Sequence, residues 1–126
     1  MLGDKPLVAF VATTKPDLAK AFYGETLGLR MLEDTPFALV YDANGTTLRV
    51  QRVEACTPPP FTQLGWHVDD VAATVRDLAK RGVTFERFGF FEQDELGIWS
   101  APDGTPVAWF KDPEGYTLSL NGDPRD

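Results

Sequence analysis

Cysteine is almost missing from this chain: Cys56 stands alone among 126 residues, so no internal disulfide can form. Its sequence neighbourhood carries no cation after it to stabilise a thiolate, and it reads as a packing residue. Histidine is equally scarce, with His67 the single one. Basic residues are in the minority, 12 Lys and Arg against 19 Asp and Glu, for a formal charge of -7. Such a field repels phosphates and anionic lipid, which argues against nucleic acid and membrane partners and favours a neutral or cationic ligand. No apolar run approaches the length of a transmembrane helix, and no charged stretch followed by an apolar one opens the chain. These absences read as a soluble cytoplasmic protein. What is present, 43% hydrophobic and 12% aromatic residues, suffices for one globular domain over residues 1–126 and leaves no room for a second large one.

The same succession of patterns occurs on both sides of a proline-rich joint at residues 55–60, which points to an internal duplication. In the first half, Leu7 to Ala12 is a short apolar run suited to a buried strand. Pro16-Asp17 then opens a stretch with Leu18, Ala21, Phe22 and Glu25 at helical spacing, stopped by Gly28. In the second half, Gln63 to Val68 takes the strand's place and Asp70 the N-cap's. Val71, Val75 and Leu78 mark a buried stripe before Gly82. Strand-like runs and turns follow each helix, with Asp42-Ala43-Asn44-Gly45 matching Asp112-Pro113-Glu114-Gly115. The strands after these turns echo one another and make Arg49 and Ser119 equivalent positions. The expected fold is therefore α+β, two βαβββ modules over residues 5–54 and 61–122.

Strand alternation turns Leu48 and Val50 toward the helix layer and Arg49 to the opposite face, with Leu118 and Leu120 flanking Ser119 in the same way. Pairing across the turn from Asp112 to Gly115 places Ala108 and Phe110 on the face of Ser119, leaving Trp66 and Trp109 as core. His67 falls on the face of Gln63 and Gly65. The segment holding Phe85, Phe88, Phe90, Phe91 and Trp99 is unusually aromatic for one that contains Gly89 and Gly97. It suits a ligand-facing or dimer-facing surface, or an ordinary core beneath a long loop.

Three stretches carry a family resemblance that spans nearly the whole chain. Leu18-Ala19-Lys20-Ala21-Phe22-Tyr23 with Leu27-Gly28-Leu29 resembles the first-helix signature of the vicinal oxygen chelate superfamily, the glyoxalase, bleomycin-resistance and extradiol dioxygenase relatives. Gly65-Trp66-His67-Val68-Asp69-Asp70-Val71 resembles its second-module entry, and Ala108-Trp109-Phe110-Lys111-Asp112-Pro113-Glu114-Gly115-Tyr116 its last hairpin. The resemblance implies curved mixed sheets around a central cleft, with helices on the outer faces, and a homodimer. It also implies four metal-ligand positions, which here hold Val8, Arg49, Gln63 and Ser119. Only Gln63 is a credible ligand.

Residues 5–13 and 115–122 contain no His, Asp, Glu or Gln, so two ligands are missing however the strands slide. A guanidinium at Arg49, about 4 Å from a divalent ion at an effective dielectric near 20, would repel it by roughly 8 kcal/mol. Neither glyoxalase I nor extradiol dioxygenase chemistry survives without that metal, and no cofactor is expected. Two function classes stay open. One is a binding protein that sequesters a small organic molecule or drug. Its wall would include Val8, Phe10 and Phe110, and its polar contacts would come from Arg49, Gln63, His67 and Ser119. The other is a metal-independent enzyme, a lyase or isomerase using His67, Tyr41, Tyr116 or a carboxylate. Each polar candidate also has a plainer role: Gln63 as a satisfied cleft residue, Arg49 as a solvated strand end, His67 as a structural side chain. The ligand set predicts a protein that purifies without stoichiometric divalent metal. Elemental analysis should find far less than one Zn, Ni, Mn or Fe per chain, and about one per chain would overturn the reading.

Overall fold

The structure is a computed structural model that describes residues 1–124. It falls into two compact units, Met1–Thr57 and the chain from Pro58 onward, each a four-stranded mixed sheet with helical cover. In the first unit β1 (Val8–Thr13) leads to helix α1 (Pro16–Lys20) and a π-helical segment (Ala21–Thr26). Strands β2 (Arg30–Asp34), β3 (Ala38–Ala43) and β4 (Thr46–Arg52) follow. In the second, β5 (Thr62–His67) leads to α2 (Val71–Lys80), then β6 (Trp99–Ser100), β7 (Pro106–Lys111) and β8 (Thr117–Asn121). Strand order is β1-β4-β3-β2 in one sheet and β5-β8-β7-β6 in the other, each with one parallel pair, so the duplicated pattern is a duplicated topology.

The first sheet buries the side that carries Leu48 and Val50, joined by Leu39 and Tyr41 from β3 and Val11 and Thr13 from β1. Arg49 points the other way, as alternation requires, opposite Phe10 on β1 and Val40 on β3. The helix differs from its expected stripe. Its buried residues are Ala19 and Tyr23, whereas Leu18 and Ala21 are exposed. The segment continues into π-helical turns, with Leu27 N–H donating to the Phe22 carbonyl five residues back at 2.9 Å. Ala19 and Tyr23, four residues apart, form the inward face, and Tyr23 packs against Tyr41, 6.1 Å away between ring centroids. Gly28, at φ +76°, stops the segment. At the sheet edge Asp34 accepts from Arg52 at 2.7 Å and Lys20 at 3.2 Å, and these bonds hold its carboxyl below the usual carboxylate range.

The second unit keeps the expected helix. The Asp70 carboxylate accepts from Ala73 N–H at 3.0 Å as an N-cap, and Val71, Val75 and Leu78 form the buried face. The two hairpins are built differently. Between β3 and β4 only Asn44 and Gly45 intervene, both at positive φ (52° and 95°), the two-residue turn that matches strand twist. Between β7 and β8 lie five residues, Asp112 to Tyr116, because Lys111 pairs with Thr117. Asp112, only 6% exposed, closes this connection. One carboxylate oxygen accepts from the N–H groups of Glu114, Gly115 and Tyr116 at 2.9, 3.0 and 2.9 Å. Replacing Asp112 with Ala leaves those donors in a buried turn without their charged acceptor. Urea denaturation should show a loss of about 1.5–3 kcal/mol, the scale of hydrogen bonds to a charged group; a loss under about 0.5 kcal/mol would mean that the turn holds itself.

Candidate functional site

The register between β7 and β8 decides which side chains reach the side of the second sheet away from α2. Trp109 pairs with Ser119 and Phe110 with Leu118. Directly opposed residues in an antiparallel pair share a face, so Trp109, not Phe110, stands beside Ser119. Phe110 is 0% exposed, packed 5.4 Å from Phe85 between ring centroids. Its expected place in a pocket wall, and the assignment of Trp109 to the core, are both corrected. The fifth residue of the connection, Tyr116, shifts the pairing by one position, and a one-residue shift exchanges the faces of every residue on the strand.

Around Trp109 the aromatic segment folds over the sheet. Phe88 meets the indole edge-on at 5.4 Å and 84°, Phe91 lies at 5.5 Å, and Trp99 at 6.0 Å. Phe90 packs on Phe91 at 4.6 Å and 87° while remaining 80% exposed. Phe88, Phe90, Phe91 and Trp109, with Phe61 and Pro60, wall a pocket of about 210 Å³. Its polar lining consists of Thr62 and Thr117, and among the described residues no charged one lines it. The Thr62 hydroxyl accepts from the Trp109 indole N–H at 3.2 Å and fixes the ring's orientation.

A polar network holds the loop that carries these rings. The Gln93 side-chain carbonyl accepts from Phe88 N–H at 2.8 Å, and its amide donates to the carbonyls of Glu86 and Gly97 at 2.9 and 2.7 Å. The Arg87 guanidinium donates to the carbonyls of Asp94 and Glu95 at 2.7 and 2.6 Å. A larger depression of about 440 Å³, lined by Glu92, Gln93, Asp94, Ile98, Trp99 and Ser100, lies on this loop. Its Gln93 is committed to the network, and one Asp94 carboxylate oxygen to Leu96 and Ile98 N–H at 2.9 Å each. The depression is thus largely the flank of a built scaffold.

The remaining candidates separate between the sheets. Val8 (42% exposed), Phe10 (47%) and Arg49 share the open side of the first sheet, with Phe10 paired to Arg49. Ser119 and His67 share the open side of the second, paired with Gly65 and Asn121. Gln63 is the extra residue where the β5–β8 register shifts between Thr62 and Leu64, so plain alternation from His67 and Gly65 does not carry through to it. His67 Nε2 lies 2.9 Å from an Asp123 carboxylate oxygen. Tyr41 (0% exposed) and Tyr116 (8%) are core residues, and burial, with the nearby Asp34 charge, pushes the Tyr41 phenol up. Neither tyrosine is placed to meet a substrate.

The residues at the implied metal positions do not fit a divalent ion: an aliphatic group and a guanidinium in the first sheet, an amide and a hydroxyl in the second. Among the described residues no three His, Cys, Asp or Glu side chains gather where they could hold one. No helix of the described residues is long and apolar enough to cross a membrane. Sequence reasoning flagged the aromatic segment but missed Phe61, Thr62, Trp109 and Thr117. The odd length of the Asp112–Tyr116 connection was the signal that would have found Trp109.

Comparison with known proteins agrees with this architecture. TnmS3, an antibiotic binding protein from Streptomyces sp. CB03234, is 28% identical over 99% of both chains, with a TM-score of 0.74. A glyoxalase/bleomycin resistance protein from the same Streptomyces is 27% identical over 93% of this chain and 99% of its own, at 0.68. A glyoxalase family protein from Bacillus anthracis shares the fold at a TM-score of 0.76, with 15% identity over 95% of each chain. No curated protein matches the sequence. The model of the Glyoxalase/Bleomycin resistance protein/Dioxygenase superfamily matches residues 7–120, and the chain belongs to that superfamily.

Proposed function

We propose that this protein binds, and by binding sequesters, a small planar aromatic molecule, and that it does so without metal, cofactor or chemical conversion. The carrying observation is the uncharged aromatic pocket around Trp109, held by the Gln93 and Arg87 network. A pocket of about 210 Å³ is smaller than the roughly 300–1,000 Å³ that encloses a drug-sized ligand. It accepts one or two fused rings, and the rest of a larger molecule lies outside over the open sheet. The absence of charge among the described lining residues favours a neutral ring system, and the chain's charge of -7 leaves a cationic substituent welcome. The description of TnmS3 as an antibiotic binding protein, at 28% identity, supports a ligand of the same broad kind. We keep a homodimer in the proposal, on the family resemblance alone.

Calorimetric titration with a panel of bicyclic and tricyclic aromatic compounds, aromatic antibiotics among them, tests the reading. Trp109→Ala should weaken the best ligand by about 2 kcal/mol, some thirtyfold, from lost ring contact and buried area. Recovery of the ligand unchanged is expected. A product would move the assignment to the metal-independent enzyme. Arg49→Ala is the comparison variant. A loss of affinity there, with none in Trp109→Ala, would transfer the site to the first sheet. Sedimentation equilibrium at tens of micromolar reads the oligomeric state, and a monomer would remove the dimer.

A further inference from the structure

Gly65 sits in the middle of β5, on an exposed stretch of the second sheet's open side, directly paired with Ser119. Glycine inside a strand costs backbone entropy and supplies no packing, so its presence asks for a cause. Backbone conformation is not the cause, since Gly65 is not among the positive-φ glycines. Nor is crowding from elsewhere in the protein. A Cβ built at Gly65 would lie 2.8 Å from Ser119 Oγ and 3.8 Å from the Ser119 carbonyl oxygen, with no other heavy atom of the described residues beyond its chain neighbours within 4 Å. The missing side chain therefore makes room for one group, the Ser119 hydroxyl.

That hydroxyl is uncommitted. Ser119 is 8% exposed and makes no side-chain hydrogen bond to another described residue. Every fully buried side-chain nitrogen or oxygen among the described residues has a partner, so the Ser119 oxygen is one that solvent still touches. A hydroxyl so enclosed, with one donor and two acceptor sites to fill, is a poor surface group and a good contact for a ligand. Its other cross-strand neighbour is Trp109, a wall of the aromatic pocket. Opposed pairs keep their Cβ atoms roughly 4.5–5.5 Å apart, so a ring stacked on Trp109 carries its edge substituent to Ser119.

We infer that Gly65 and Ser119 form a polar notch beside the aromatic pocket, and that the ligand is a planar aromatic with a hydroxyl, carbonyl or amine at its edge. Gly65 is the specificity-determining residue, because any side chain there covers or turns aside the Ser119 hydroxyl. The inference rests on the reading of the aromatic pocket as the binding site, and deepens it by naming the ligand's polar edge. The two can fail separately.

The test uses 2-naphthol and 2-fluoronaphthalene, alike in shape and differing in the hydrogen-bonding group, with affinities from equilibrium dialysis against the full chain. The wild-type protein should prefer 2-naphthol by about three- to tenfold, the range of one net hydrogen bond. Ser119→Ala and Gly65→Ala should each abolish the preference. The Gly65→Ala contact is with a hydroxyl that can rotate, and the double variant Gly65→Ala/Ser119→Ala removes the contact altogether, so both should fold. Retention of the preference in either single variant overturns the notch. Equal affinity of the wild type for both probes, lost in Trp109→Ala, overturns the notch and leaves the pocket standing. Binding of neither probe overturns both.

Discussion

The open side of the second sheet depends on how one aspartate closes one turn. With a two-residue link between β7 and β8, as between β3 and β4, pairing would fall in a different register and a different set of side chains would face Ser119. Asp112 gathers three consecutive amides from Glu114 to Tyr116 and so stabilises a five-residue connection instead. Tyr116, taken into that connection, is buried and anchors it. Trp109 consequently faces outward and Phe110 inward. Burying Phe110 against Phe85 contributes to the core, of the order of 1.5–3 kcal/mol for a fully buried large apolar side chain, so the register is held from both faces. A slip would expose Phe110 and bury an indole whose N–H now has its partner in Thr62.

Trp109 alone would be an exposed aromatic on a sheet. The loop between Phe85 and Trp99 turns it into a pocket, and the loop depends on polar bonds. Phe88, Phe90 and Phe91 cannot all be drawn down into a core, because Phe90 stays largely in solvent. Their positions are instead dictated by Gln93, whose amide reaches both strands of the loop, and by Arg87, whose planar guanidinium bridges two successive carbonyls. A guanidinium and an amide bonded to backbone carbonyls are specific in geometry as well as in energy. Side chains fixed in this way have little further freedom to lose, the preorganisation that the proposed binding of a ring in a small pocket requires.

The duplicated topology was legible in the sequence because it rests on signals that act locally: the capping Asp70, the stripe of Val71, Val75 and Leu78, the Asn44-Gly45 turn, and the alternation around Arg49 and Ser119. Each reports on one or two turns of chain, where period and propensity decide. The candidate site was less legible because it depends on pairing. Arg49, Phe10, Val8, Ser119 and His67 lie on open sheet faces as alternation required, yet Phe110 and Trp109 exchanged roles through a single additional residue in a turn. Gln63 lost its clear assignment through a register shift in β5 that leaves no mark in composition. The first helix failed for a related reason. Its inward face is Ala19 and Tyr23, one position out of phase with Leu18 and Phe22, and packing of Tyr23 on Tyr41, a contact distant in sequence, selects that face.

The two modules also show how a duplicated scaffold can come to carry unlike surfaces. Arg49 and Ser119 occupy equivalent central positions of β4 and β8, each flanked by buried aliphatic residues. Their partners on the parallel neighbour differ: Phe10 beside Arg49, Gly65 beside Ser119. Arg49, itself partly exposed, stands beside a ring that is about half open to solvent. The Ser119 hydroxyl, beside a glycine and an indole, is nearly enclosed and makes no side-chain hydrogen bond to another described residue. The same fold position is therefore more open in one module and more enclosed in the other. The difference follows from what stands across the strand, which makes the partner of a central strand residue as informative about function as the residue itself.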